Sequence, residues 1–173
     1  YPAISLYYYY YKALTEANEA YFGLYARQLL EVRQEFPPEE LKDLYKMGIN
    51  YAIRQANLSD KSEYIRQAWL VYKQALEQQL LFENGILSRF SYKNMVALGL
   101  RLGELDWVQD FIRTNTSFLA PKYQHIYEQY ALGKYCFSTQ NYPQALLHFQ
   151  QVAYEEIFLG LDARVVQLKI FYE

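Results

Sequence analysis

A short fragment recurs in register along this chain. Leu98-Gly99 returns 34 positions later as Leu132-Gly133, and Met47-Gly48 stands upstream as a third copy. Each pair lies in an apolar stretch of helical character. A polar break and a second apolar stretch follow each of the two regular copies. This constrains the fold more than any other feature. A period near 34 residues marks an array of helix–turn–helix units, each of which buries its apolar face only by stacking on its neighbours. A broad role follows from such an architecture: a surface for holding other molecules.

The composition agrees with a packed core. Of 173 residues, 52% are hydrophobic and 21% charged, which excludes a disordered chain. Twenty tyrosines bring the aromatic share to 18%, and tyrosine suits both inter-helix gaps and binding surfaces, because it joins a large apolar body to a polar tip. The formal charge is -2 and lysines and arginines are scattered among acids, so nucleic acid is not the expected partner. No run of apolar residues is long enough to span a bilayer, and the segment from Tyr1 to Tyr11 lacks the basic start of a signal peptide. The single cysteine, Cys136, cannot form an internal disulfide, so redox logic leaves the compartment open; the cytoplasm is the working expectation.

Proline, glycine and capping residues predict helices near 2–14, 16–35, 38–57, 61–83, 91–103, 105–115, 121–139, 142–154 and 159–172. All five prolines suit first helical turns, where the missing N–H costs nothing. Asp60-Lys61-Ser62-Glu63 reads as a capping box, and Asp106 and Asn141 open segments of the same form. Asn84-Gly85 is expected to end a helix. A hairpin turn is rejected there because the flanks do not alternate with period two. No linker divides the chain, so one domain over 1–173 is expected. The chain starts and ends inside helical pattern and is read as a piece of a longer protein.

Catalytic and metal signatures are missing from the sequence. There is no glycine-rich phosphate loop, no G-x-S-x-G, no H-E-x-x-H and no paired cysteine. His125 and Glu128 share a helical face but are too few for a structural zinc site, and His148 is expected to face outward. Glu39-Glu40 and Glu155-Glu156 are helix neighbours that point about 100° apart, so neither is a proton-sharing dyad. The expectation is a chain that is not an enzyme and carries neither cofactor nor metal.

From Ala131 the chain reads A-L-G-K-Y-C-F-S-T-Q-N-Y-P-Q-A-L-L-H-F-Q-Q-V, which resembles a tetratricopeptide repeat. Leu132 and Gly133 match the first helix. Tyr142 opens the second, and Ala145, Phe149 and Val152 match its small–aromatic–small ladder. Looser copies run through Gly48 and Tyr51 with Ala68, Tyr72 and Ala75, and through Gly99 and Leu102, where Phe111 stands in place of a small residue. At the amino end Ala20 and Leu24 fit a second helix, while Tyr8 replaces the glycine. The resemblance implies an all-α fold, a right-handed superhelix of about four antiparallel helical hairpins plus one unpaired terminal helix. It also places Cys136 in the core, as an inert thiol.

The resemblance further implies a concave groove lined by first helices. Carried over from the three glycines, its groove positions are Lys42, Tyr45, Ile49 and Ile53; Lys93, Val96, Leu100 and Glu104; and Tyr127, Tyr130, Lys134 and Phe137. Such a set suits a peptide or protein segment held by apolar anchors, with a lysine in each hairpin for a carboxylate or carbonyl. The family's Lys/Asn/Arg clamp for an acidic terminus is not expected, since no Asn stands at the corresponding places. The function implied is a non-catalytic protein–protein interaction scaffold. The alternative is a sensor arm or structural spacer of a larger protein whose active domain lies elsewhere. In the last helix Leu161, Val165, Leu168 and Phe171 recur at spacings of three and four, an apolar stripe to be covered by further chain or a second copy.

Overall fold

The computed structural model describes residues 2–16, 18–58, 62–152 and 156–172. Among these residues the chain is all-helical apart from one short hairpin. The elements are α1 (Pro2–Glu16), α2 (Glu19–Val32), α3 (Pro38–Leu58), α4 (Ser62–Glu77), β1 (Phe82–Glu83), β2 (Ile86–Leu87), α5 (Arg89–Arg101), α6 (Leu105–Asn115), α7 (Pro121–Ser138), α8 (Tyr142–Gln150) and α9 (Ile157–Tyr172). Consecutive helices pack as pairs, α1 with α2 through α7 with α8, and α9 packs on both α7 and α8. The chain divides into two compact units, Tyr1–Leu81 and Phe82–Glu173.

Helix starts follow local chemistry. Pro38 and Pro121 open α3 and α7, and Pro38 is followed by Glu39 and Glu40 at the positive end of the dipole. The Asn18 side chain caps α2 by accepting the Ala20 N–H at 2.9 Å, and Ser88 caps α5 through the Ser91 N–H at 3.4 Å. Two expected caps are corrected. α6 begins at Leu105 behind Glu104, so Asp106 is a first-turn acid rather than the cap. Asn141 does hold the cap position of α8, but its side chain makes no capping bond. Asp60 and Lys61 lie outside the described residues.

The segment around Asn84-Gly85 overturns the expectation of a helix to residue 83. Helix α4 ends at Glu77, and β1 pairs antiparallel with β2, Phe82 opposite Leu87 and Glu83 opposite Ile86. Asn84 (φ 52°) and Gly85 (φ 76°) both take positive φ, the conformation of a two-residue turn whose twist matches that of the strands. The strands are two residues long, too short to show alternation, while the turn dipeptide alone specifies them.

In the first unit the core is aromatic. Phe22 and Tyr25 of α2 and Tyr51 of α3 are buried. Phe22 lies 4.8 Å from the Tyr51 ring and 5.8 Å from that of Tyr25. Gly48 of α3 makes room for this cluster: a Cβ there would come within 2.9 Å of Tyr25 Cε1. Ala68, Tyr72 and Ala75 of α4 are buried as the repeat register predicts, and Trp69 beside them is 7% exposed. The amino-terminal register is corrected. Tyr8, Ala20 and Leu24 face solvent, and the buried ladder is Leu6 and Ala13 with Phe22, Tyr25, Ala26 and Leu29. Both faces of α1 are apolar, so periodicity alone could not choose between them.

In the second unit the glycine works within one helix pair. A Cβ on Gly133 of α7 would lie 2.6 Å from Phe149 Cε1 of α8, so α8 approaches only because that atom is missing. Ala145, Phe149 and Val152 are all buried, as expected. In α6, Phe111 is buried, stacked on half-buried Trp107 at 4.9 Å and set against Tyr92 of α5 at 5.2 Å. The bulk that departs from the repeat pattern is thus absorbed by an aromatic triplet.

Candidate functional site

Helices α5, α7 and α9 carry the most concentrated polar chemistry among the described residues. Asp162 stands on the inner side of α9, next to buried Ala163 and one turn from buried Leu159 and Val166. Its carboxylate accepts a hydrogen bond from the Tyr130 hydroxyl, and Lys134 Nζ lies 3.3 Å from the same oxygen. The ammonium groups of Lys93 on α5 and Lys134 on α7 sit 5.6 and 5.9 Å from the centroid of the Tyr130 ring. Two cations and a phenol thus converge on one carboxylate.

A second contact holds the start of α9. Glu156, just before the helix, is ion-paired with Arg89 at the start of α5. The Arg89 guanidinium lies 4.2 Å from the centroid of the Tyr123 ring of α7. Basic and aromatic groups on α5 and α7 therefore receive both described carboxylates of this segment.

The electrostatics follow from burial and charge. Burial works against ionisation of Asp162, but the Tyr130 hydroxyl and the lysines outweigh it and hold this carboxyl below its ordinary range. Burial first, and then the neighbouring Asp162 charge, push the Tyr130 hydroxyl far above its usual value, so it stays protonated and donates. Tyr127 is raised by burial and by Glu156, with Arg89 opposing.

The twelve groove positions fall into three groups. Tyr45, Ile49, Val96, Tyr127 and Tyr130 are buried within their own units. Tyr45 donates to Gln74 Oε1 at 3.5 Å and accepts from Gln78 Nε2 at 2.8 Å, both from the α4 segment, so its tip is turned into the core. Lys42, Ile53, Lys93, Leu100, Lys134 and Phe137 are half-buried, and Glu104 is exposed. Tyr130, Lys93 and Lys134 are brought together as a cluster, but its occupant is a side chain of this same chain. Asp162 and Glu156 were not anticipated. The available signal is Asp162 itself, the one acid in the mostly apolar helix α9. Cys136 is half-buried rather than core-buried, and burial raises its thiol, which keeps it protonated and poorly nucleophilic. His125 faces solvent, while His148 is half-buried with Nδ1 2.8 Å from Gln129 Oε1, a tether rather than a free outward face.

Among the described residues no group of three or more His, Cys, Asp or Glu side chains is placed to hold a metal ion. Nor is any described helix long and apolar enough to cross a membrane. Set against known proteins, the chain matches no protein-family model, no curated protein and no solved structure.

Proposed function

We propose that this chain is a non-catalytic scaffold for protein–protein contact, of the kind its tetratricopeptide-like pattern implies, taking a peptide or protein segment on the faces of its first helices. One observation carries the reading. Lys93, Tyr130 and Lys134, named as ligand-facing from the resemblance, converge on a carboxylate presented by another helix. That cluster supports a surface suited to a helical segment bearing an acid among apolar residues.

The test is a peptide-display selection against the 173-residue chain, followed by affinity measurement on variants. Enriched peptides should combine an acid with apolar anchors, and Lys93→Glu or Phe137→Ala should weaken them at least tenfold, about 1.4 kcal/mol. Both residues are half-buried, so folding is checked by circular dichroism. Tyr130→Ala is a poor probe, since Tyr130 also holds α9 in place. Selection of no sequence, or binding indifferent to both substitutions, would favour the spacer or sensor-arm alternative.

A further inference from the structure

The tip of the β1–β2 hairpin sets a carboxamide side chain beside a main-chain nitrogen able to attack it. Asn84 and Gly85 are both exposed, and a Cβ built on Gly85 would meet nothing within 4 Å, so the tip stands in open space. The paired residues are Glu83 with Ile86 and Phe82 with Leu87, which leaves the Gly85 N–H outside the ladder. No other asparagine of the chain is followed by glycine. Asn50, Asn57, Asn94 and Asn115 lie in helices, where the next N–H is turned to a carbonyl four residues back; after Asn115 it is the Thr116 N–H that donates to the Ile112 carbonyl. The Asn18 side chain is held by the Ala20 N–H, and Asn141 is followed by the bulk of Tyr142.

The reaction open to this pair needs only water. The Gly85 nitrogen attacks Asn84 Cγ. An N–Cγ bond forms, the carboxamide C–N bond breaks, and the side-chain nitrogen leaves as ammonia with the proton from Gly85. A five-membered cyclic imide results, and water then opens it at one of its two carbonyls. Opening at Cγ leaves aspartate in the ordinary chain. Opening at the main-chain carbonyl breaks that carbon's bond to the Gly85 nitrogen. The chain then runs through the side chain of residue 84 and is one methylene longer.

The folded turn opposes the first step. Ring closure needs the Gly85 nitrogen on the same side as Asn84 Cβ. Asn84 has φ 52°, in the left-handed region, where the companion ψ of about +47° sets that nitrogen almost opposite Cβ. Attack therefore waits for the tip to open. Buried Leu87 and the edge-on contact of the Phe82 ring with Phe118, 5.6 Å between centroids, hold it closed.

We infer that Asn84 is a self-modification site gated by this hairpin. The closed turn protects the asparagine; the open turn lets the chain convert it to aspartate or to the β-linked isomer. The β-linked product does not reclose, because a two-residue turn that sets Phe82 opposite Leu87 has no room for a further methylene. Either product adds a carboxylate beside exposed Glu83. The site thus keeps a covalent record of how often the hairpin opens. This inference does not depend on the interaction reading.

The 173-residue chain, native and unfolded in guanidinium chloride, is held in mildly alkaline buffer while position 84 is followed by peptide mapping and mass spectrometry. Aspartate and its β-linked isomer should accumulate at 84 in the unfolded chain. In the native chain they should form at least tenfold more slowly, the ratio for a tip held closed by about 1.4 kcal/mol. Phe82→Ala, which removes the ring contact, should bring the native rate toward the unfolded one. Phe118→Ala removes the same contact from the other side and replaces the first variant if circular dichroism shows that helix is lost. Equal rates in the native and unfolded chains overturn the gate, as does a native rate that loss of the ring contact leaves unchanged. An unfolded chain unaltered at 84, or a helical asparagine that converts as fast as Asn84 in the native chain, overturns the site itself.

Discussion

The two units join their helices with different polar chemistry. In Tyr1–Leu81 two buried ties are neutral: Tyr25 donates to the Leu44 carbonyl at 2.7 Å, and Tyr51 to the Ala13 carbonyl at 2.9 Å. In Phe82–Glu173 charged groups carry α9 onto α5 and α7, through Arg89 with Glu156 and Lys134 with Asp162. Both kinds of tie rest on tyrosine. Tyr25 and Tyr51 reach helix carbonyls and Tyr130 reaches a carboxylate, because tyrosine buries its ring while keeping one donor at its tip. Part of the abundance of tyrosine thus reflects inter-helix bonding.

The largest effect should come from emptying the aromatic core. Tyr25→Ala is expected to cost about 3–5 kcal/mol in urea denaturation, the range for deleting a large buried aromatic. Tyr25→Phe, which keeps the ring and drops the bond to Leu44, should cost about 0.5–1.5 kcal/mol. Equal losses for the two would mean that the hydroxyl, not the ring, holds the first unit. Next comes the close approach of α7 and α8. Gly133→Ala forces a Cβ to 2.6 Å from Phe149 and should cost about 1–3 kcal/mol. Adding Phe149→Leu should recover part of that loss, and strict additivity of the two changes would show that the rings do not collide as described.

The smallest effects separate the units by pH. Asp162 is held below its ordinary value, so its contribution is complete above the unfolded carboxylate range and fades as pH falls below about 4. Amide exchange in α9 should therefore quicken in acid, and Asp162→Asn should flatten that dependence; an unchanged acid profile would mean that Asp162 does not hold the helix. Alkali acts on both units. Burial raises Tyr25 and Tyr51 in the first and Tyr92 in the second, so their stabilising share is intact below about pH 10 and is lost above it. Thermal melts that were flat from neutral pH to strong alkali would contradict this.

The fold was legible where a backbone rule acts locally. Prolines, with glutamates behind Pro38, placed helix starts, and Gly133 with Ala145 and Phe149 located a tight helix pair. The hairpin was missed because its strands are too short for any period, though Asn84-Gly85 specified the turn. The amino-terminal register was missed because α1 offers two apolar faces and only tertiary packing chooses between them. The groove positions were legible as residues but not as surface, since burial of Tyr45, Val96 and Tyr127 depends on which helix lies over them. Asp162 could be seen as unusual, but not as the occupant of a cluster named from other residues.

The two tryptophans give the chain a built-in pair of optical reporters. Trp69 lies buried in the first unit, and Trp107 stacks on Phe111 in the second. Replacing either with phenylalanine leaves one indole, whose emission then follows its own unit through a melt or a stopped-flow trace. The chain thus lets the loss of its neutral and its charged ties be timed separately, without an added dye.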